Sequence, residues 1–289
     1  MDSKVAGYVQ EKILAMLDKG VVPWQKPWKG GDAHRNLISG KEYRGINTWL
    51  LSCTPTGDFK SNYWMTMNQA NAKKWQVKKG SKATMVIYWK VGTYEKDGEE
   101  KKSFLLRYYN VFNSEQVEGA IIPASTNKEH KPIEEAQAIL DGYVNSSKVT
   151  YSTKNSSRAF YSPSMDSITV PLLNQFETPE QYYSTAFHEC VHSTGHKSRL
   201  NRLKEDNLMF ESHAYSFEEL VAESGACMLD ALVGIDTDKI YQNATAYIKT
   251  WRDRIAEDVN LVIKASSKAQ KAVDLITGND AKVKEVAQE

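Results

Sequence analysis

The chain has 289 residues, 41% hydrophobic and 25% charged, with a formal net charge of +1. These values suit a soluble globular protein of one large or two ordinary domains, and near-neutrality argues against mimicry of DNA by an acidic surface. No apolar run reaches the ~18 to 20 residues that cross a bilayer, and the amphipathic start "MDSKVAGYVQEKILAMLDKG" has no signal-peptide core. A cytosolic location is predicted. The three cysteines, Cys53, Cys190 and Cys227, form no CxxC pair and read as reduced thiols.

Charge is unevenly spread. Residues 1–120 hold 19 Lys and Arg against 12 Asp and Glu, and residues 121–289 hold 18 against 24. Six of the seven tryptophans fall in the first stretch and only Trp251 lies beyond it. This asymmetry predicts two units with different partners.

In chain order, Val5, Val9, Ile13, Met16 and Leu17 recur at helical spacing, and Gly20 is a plausible stop. "GVVPWQKPWKGG" reads as a loop, "NTWLLSC" and "TMNQANAKKWQV" as helices. "MVIYWKV" and "SFLLRYYNVFN" read as strands joined through "EKDGEEKK". "EGAIIPASTNKEHKP" has the composition of a linker, and "IEEAQAILDGYV" is helical. "RAFYSPSMDSITVP" reads as a hairpin around Pro163–Asp166. "TPEQYYSTAFHECVHSTGH" is a helix capped by Thr178, with Pro179 at its first position, Gln181 three residues after the cap and Gly195 at its end. "SFEELVAESGACMLDALVG" follows as a helix with Ser216 as cap and Glu219 three residues later. Further helices run to Gly278.

The chemistry sits in "FHECVHSTGH". Residues four apart on a helix are ~40° apart in azimuth, so His188 and His192 can converge on one ion. Glu189 is ~100° from His188 and suits holding a metal-bound water. This is the HExxH arrangement of two imidazole ligands on Zn2+ with a glutamate as general base. In the longer pattern with a third histidine, the third position holds Ser198, and His196 falls two residues early. The third ligand is then a carboxylate of "EELVAES". Glu219 and Glu223 share a face, one suited to ligation and the other to accepting a ligand histidine's N–H. His213 is an outlying candidate in a loop. Zinc peptidases present an edge strand to an extended substrate, and "DSITVP" is the candidate edge.

The first half carries rings interleaved with cations, as single-stranded nucleic acid requires: rings stack on bases and cations track phosphates. The candidates are Trp24, Lys26, Trp28, Lys29, Arg35, Arg44, Tyr63, Trp64, Lys73, Lys74, Lys78, Lys79 and Lys82. In "VIYWKV", Tyr88 and Lys90 share one face and Trp89 the other.

The motifs "GVVPWQKPWKGG", "YRGINTWLL", "NYWMTMNQA", "VKKGSKATMVIYWK" and "YNVFNSEQVEG" resemble the N-terminal domain of the ArdC family of plasmid- and phage-borne antirestriction proteins. "AFYSPSMDSITVP", "YYSTAFHECVHSTGHKSRLNR", "AYSFEELVAE" and "KASSKAQKAVDLI" resemble its C-terminal zincin-like metallopeptidase domain. The resemblance covers about residues 5–277. It implies an α+β single-stranded DNA-binding domain (1–120), a linker (121–132) and a zincin-like domain with an HExxH helix and a hairpin edge (133–289). It also implies protection of incoming plasmid or phage DNA from restriction. The implied metal site is His188, His192 and a glutamate of "EELVAE", with Glu189 catalytic. Ser193 departs from a large aromatic that the resemblance leads one to expect beside the site. Two readings stay open: a zinc metallopeptidase brought to single-stranded DNA to act on an unknown protein substrate, or a DNA-coating protein whose zincin domain is a silent scaffold. A metal-dependent nuclease or amidase is a weaker third, because a lone His2Glu ion is uncommon in phosphodiester hydrolysis.

Overall fold

The structure is a computed structural model and describes residues 3–23, 33–52, 54, 59–96, 99–123, 132–203, 213–236, 245–258 and 260–279. Two compact units divide the chain. The first comprises residues 1–23, 32–126 and 244–262, and the second residues 24–31, 127–243 and 263–289.

The first unit opens with α1 (Ser3–Leu17). All five stripe residues are buried. Gly20, at φ 75°, ends the helix: its N–H donates to Leu17 O, and Val21 N–H reaches back to Met16 O. That pair of bonds needs a left-handed residue, which glycine adopts without a Cβ penalty.

A four-stranded sheet follows in the order β1-β2-β5-β4, from β1 (Arg35–Asn36), β2 (Tyr63–Met65), β4 (Thr84–Lys96) and β5 (Glu99–Asn113). The expected hairpin is β4 and β5, paired antiparallel from Thr84↔Val111 to Lys96↔Glu99. β4 is the sheet's edge. The amide of Asn47 on α2 (Ile46–Ser52) both donates to Ile87 O and accepts from Ile87 N–H, so it occupies that edge as a strand would. The predicted third helix is short, α3 (Met67–Ala72), closed by a capping box between Thr66 and Gln69. A small ladder, β3 (Gln76–Val77) with β6 (Val117–Glu118), completes the sheets.

The expected boundaries of 1–120 and 133–289 cut the chain differently from these units. Helix α7 (Thr245–Glu257) belongs to the first unit: it packs on α1, and its Trp251 and Ile255 are buried. Gln10 of α1 donates to Ile255 O at 2.7 Å and Ala256 O at 3.0 Å. An amphipathic stripe does not announce which core it will join.

The second unit holds α4 (Pro132–Ser147), a three-stranded sheet, α5 (Pro179–Thr194), α6 (His213–Leu232) and, from Ile263 on, α8 (Asn260–Ile276). The sheet order is β7-β9-β8, from β7 (Thr150–Lys154), β8 (Phe160–Ser162) and β9 (Ser167–Pro171). β7 is a strand that sequence reading passed over. It runs parallel to β9, whereas β8 pairs antiparallel with it. The predicted edge "DSITVP" is therefore the central strand, and the outer strand facing the site is β8. α6 begins at His213, so Ser216 is inside the helix and not its cap, and His213 is not in a loop. α5 and α6 pack closely at Gly225, where a Cβ would lie 2.8 Å from Val191 Cγ2. Cys190 and Cys227 are buried; Cys53 lies outside the described residues. Among the described residues no helix is long and apolar enough to cross a membrane.

Trp64 anchors the first core, with Tyr43, Leu51, Val86 and Val111 around it. Its Nε1–H donates to His34 Nδ1 at 3.1 Å, which leaves His34 Nε2–H to donate to Ser52 Oγ at 2.9 Å. The ring is thus neutral, and burial pushes its pKa down to about 4. Between pH 6.5 and 4 the unfolded chain binds a proton that the folded chain refuses. Stability should fall as pH drops through that window, by about 3 kcal/mol from this group, and level off below it. Urea titrations across the window should show the slope, and His34→Gln should remove this share of it. An unchanged slope in the variant would argue against the neutral ring.

Candidate metal centre

α5 starts as predicted. Thr178 Oγ1 accepts from Gln181 N–H at 3.3 Å and Pro179 occupies the first turn. The Gln181 carboxamide oxygen accepts from Glu177 N–H, one residue outside the cap. The rest of the helix is buried along Tyr182, Tyr183, Ala186, Phe187, Cys190 and Val191, which fixes the opposite azimuth for His188 and His192. Their Nε2 atoms stand 3.1 Å apart. Glu219 of α6 closes the triangle, Oε2 at 3.5 Å from His188 Nε2 and Oε1 at 3.4 Å from His192 Nε2. Among the described residues, these three form the cluster able to hold a metal ion.

The spacing fits the group. A tetrahedral zinc ion with bonds of about 2.05 Å separates its ligands by about 3.3 Å, and the three separations bracket that value. Glu223, named with Glu219 as a possible ligand, is outside the cluster. It sits one helical turn farther along α6 and is buried. Glu218 stands in a supporting position of the kind expected there, with its Oε1 3.5 Å from His192 Nδ1. Glu218 and Glu219 diverge by ~100° on the helix and so flank the same imidazole, one at each nitrogen.

Arg202 holds this arrangement. Its guanidinium bonds both oxygens of Glu218, the shortest from Nη2 at 2.7 Å, and also donates to Thr194 Oγ1 and Val191 O at the end of α5. Gly195 is required here, but not for the expected reason. Its φ is −74°, an ordinary right-handed value. A Cβ there would lie 2.7 Å from Leu203 Cγ and 3.2 Å from Arg202 Nη2, so glycine makes room for the returning chain. That chain is bonded through Arg202 N–H and Leu203 N–H to Gly195 O.

Electrostatics follow from the pairing. Burial disfavours a charged His192, but Glu218 and Glu219 outweigh it and hold the pKa up at about 10. Glu219 is partly desolvated, yet His188 and His192 keep its carboxyl well below the usual range. Glu189 is buried and lines the same cavity, about 420 Å³ in volume, with no hydrogen bond to the described residues. A carboxyl group left uncommitted beside three potential ligands could take a proton there. The cavity wall includes Phe160, Tyr161 and Pro163, so β8 and its turn border the site. Arg199 fixes that turn. It pairs with Asp166 and donates to Ser193 O and Ser147 O at the ends of α5 and α4.

His196 is not in the cluster; its Nδ1 lies 2.8 Å from Ser198 Oγ and 3.8 Å from Asp166 Oδ2. Ser193 is also away from it, fully buried with Oγ 2.7 Å from Tyr143 Oη. A larger residue there would meet α4 and not a substrate. Glu218 and Arg202 were missed by sequence reading. The available signals were a second acid beside Glu219 and an arginine shortly after the glycine.

Trp24, Lys26, Trp28 and Lys29 lie outside the described residues. Of the remaining nucleic-acid candidates, Trp64 is 1% exposed and cannot stack on a base. Arg35 pairs with Glu42 at 2.5 Å, Arg44 is exposed and Tyr63 is half-buried. Lys73, Lys74, Lys78, Lys79 and Lys82 are all exposed, and Lys78 Nζ donates to Glu115 O. The exposed rings are others: Tyr88, opposite Arg107 on one face, and Tyr108 on the reverse. Strand alternation in "RYYN" carried that signal.

Residues 138–268 match a family model described as a zincin-like metallopeptidase, and residues 3–112 match the N-terminal domain of anti-restriction factor ArdC. The chain is 33% identical to the antirestriction ArdC protein of plasmid R388. The metal-free crystal structure of that protein superposes with a TM-score of 0.76, covering 98% of this chain and 99% of that one. Its Mn(II)-bound structure gives 0.73 over 96% and 98%. Two Escherichia coli proteins named DNA primase TraC are 35% and 34% identical over 95% of this chain, which spans only 20% and 27% of their length.

Ion binding must displace the His192 proton, since imidazolium cannot ligate. At pH 7 each ion bound should release at least one proton, and apparent affinity should rise about tenfold per pH unit until about pH 10. The buffer dependence of the calorimetric binding enthalpy reports the released proton; an enthalpy independent of buffer would contradict the assignment.

Proposed function

The chain belongs to the ArdC antirestriction family, and from that premise we propose that it is a zinc-dependent metallopeptidase brought to single-stranded DNA by its first unit. It would act in the cytosol on a protein that threatens incoming plasmid or phage DNA. The observation that carries the reading is Glu189, buried and uncommitted beside three converging ligand atoms.

His188, His192 and Glu219 hold the ion, and Glu218, backed by Arg202, orients His192 through Nδ1. A divalent ion there supplies Lewis acidity toward a carbonyl and acidifies a water. Glu189 takes the proton from the attacking water and delivers it to the leaving amine. β8 offers its outer edge to an extended peptide, which adds to the sheet as a further strand. Phe160, 48% exposed, gives that edge an apolar contact.

Glu189→Gln should keep the metal and lose cleavage by at least about a hundredfold, in line with loss of a general base. Candidate proteins incubated with and without single-stranded DNA provide the assay, with metal content checked in parallel. Restriction protection unchanged in a metal-loaded Glu189→Gln protein would favour a DNA-coating role with a silent zincin scaffold.

The exposed lysines from Lys73 to Lys82, with Tyr88, Arg107 and Tyr108, support DNA binding by the first unit. Four phosphate contacts on a single strand would weaken oligothymidine binding about 50-fold between about 50 and 200 mM salt. Replacing Lys73 and Lys74 with glutamine should lower both affinity and salt slope. Salt-insensitive binding would exclude a phosphate-tracking lysine cluster.

A further inference from the structure

One cation in the cavity has no assigned task. Lys268 of α8 lines the same wall as His188, Glu189 and Glu219, half-buried. It makes no hydrogen bond or ion pair with the described residues. The other cation of the wall, Arg202, spends its donors on Glu218, Thr194 and Val191. Burial, the Arg202 guanidinium, Lys271 and Lys264 push the Lys268 pKa down and outweigh the Glu218 carboxylate, which raises it and is already engaged by Arg202. An ammonium held half-desolvated beside another cation gains most from an incoming anion.

We propose that Lys268 is a specificity-determining residue that binds a carboxylate of the peptide substrate, from an acidic side chain or a chain terminus. The inference rests on the peptidase reading above. A carboxylate fits better than a phosphodiester. The reacting centre of a peptide is neutral, so it can approach Glu189 while a neighbouring carboxylate reaches Lys268. A phosphodiester carries its charge at the reacting centre itself, against Glu189. The apolar side chains of Phe160, Pro163, Leu203 and Phe217 around the wall also suit peptide side chains.

The probe is a set of fluorescein-labelled octapeptides with Glu or Gln at one position at a time, each made with a free or an amidated C-terminus. Binding to the metal-loaded Glu189→Gln protein is read by anisotropy, and cleavage by the wild type in parallel. One acidic form should bind about ten- to a hundredfold more tightly than its amide counterpart. Whether the Glu/Gln pairs or the acid/amide termini differ identifies the source of the carboxylate. Lys268→Gln should bring that ratio to about one, Lys268→Glu should invert it, and Lys268→Arg should retain it. Metal content and circular dichroism establish that each variant folds. Equal binding of all forms, no binding of any, or a preference that survives Lys268→Gln would overturn the inference. So would a short oligothymidine that competes at this site and loses its hold in Lys268→Gln. A carboxylate preference in a wild type that cleaves no peptide would keep the inference and remove the peptidase reading. Cleavage without any acidic preference would do the reverse.

Discussion

Arg202 is the constraint on which the second unit's chemistry rests. One guanidinium ties the last turn of α5 to Glu218 on α6, with its side chain 4% exposed. Desolvating that charge is costly, and the cost is offset because the fork geometry matches a carboxylate and its remaining donors find oxygen partners. The bridge sets the separation of α5 and α6 at the level where His192 meets Glu219. Two glycines serve the same approach: Gly195 admits the Arg202 segment, and Gly225 lets Val191 seat against α6. Four residues outside the ligand set thus decide whether three ligand atoms converge.

Three glutamates around the histidine pair stand in three different environments. Glu219 has its oxygens beside the two Nε2 atoms, Glu218 is neutralised by Arg202 while facing Nδ1, and Glu189 makes no hydrogen bond or ion pair among the described residues. The proposed tasks of ligand, orienter and proton acceptor follow from those surroundings. The outer strand of the hairpin completes the cavity, and Arg199 keeps its turn in place through Asp166 and two helix ends.

The first unit divides its aromatics by the same logic. Trp64 and Trp49 are fully buried, whereas Tyr88 and Tyr108 face outward on the long hairpin. A tryptophan has more apolar area to remove from water than a tyrosine, and Trp64 gains a buried partner for its N–H in His34. Composition can show that a stretch is rich in rings and cations. It does not show which of them remain available to a ligand.

The sequence by itself determined what depends on neighbours along one chain segment. The spacing of His188, Glu189 and His192, the cap at Thr178 and Pro179, the stripe of α1 and the β4–β5 hairpin all follow from local periodicity and turn chemistry. It also restricted the third ligand to one short segment. Tertiary structure decided everything that depends on two segments meeting: Glu219 as the glutamate that joins the two histidines, Glu218 beside Nδ1, Arg202 as the bridge, β8 over β9 as the outer strand, and α7 as part of the first core. The physical reason is common to all of them. Adjacent or equivalent residues on one helix face or strand are locally indistinguishable, and only the packing of a second element selects among them.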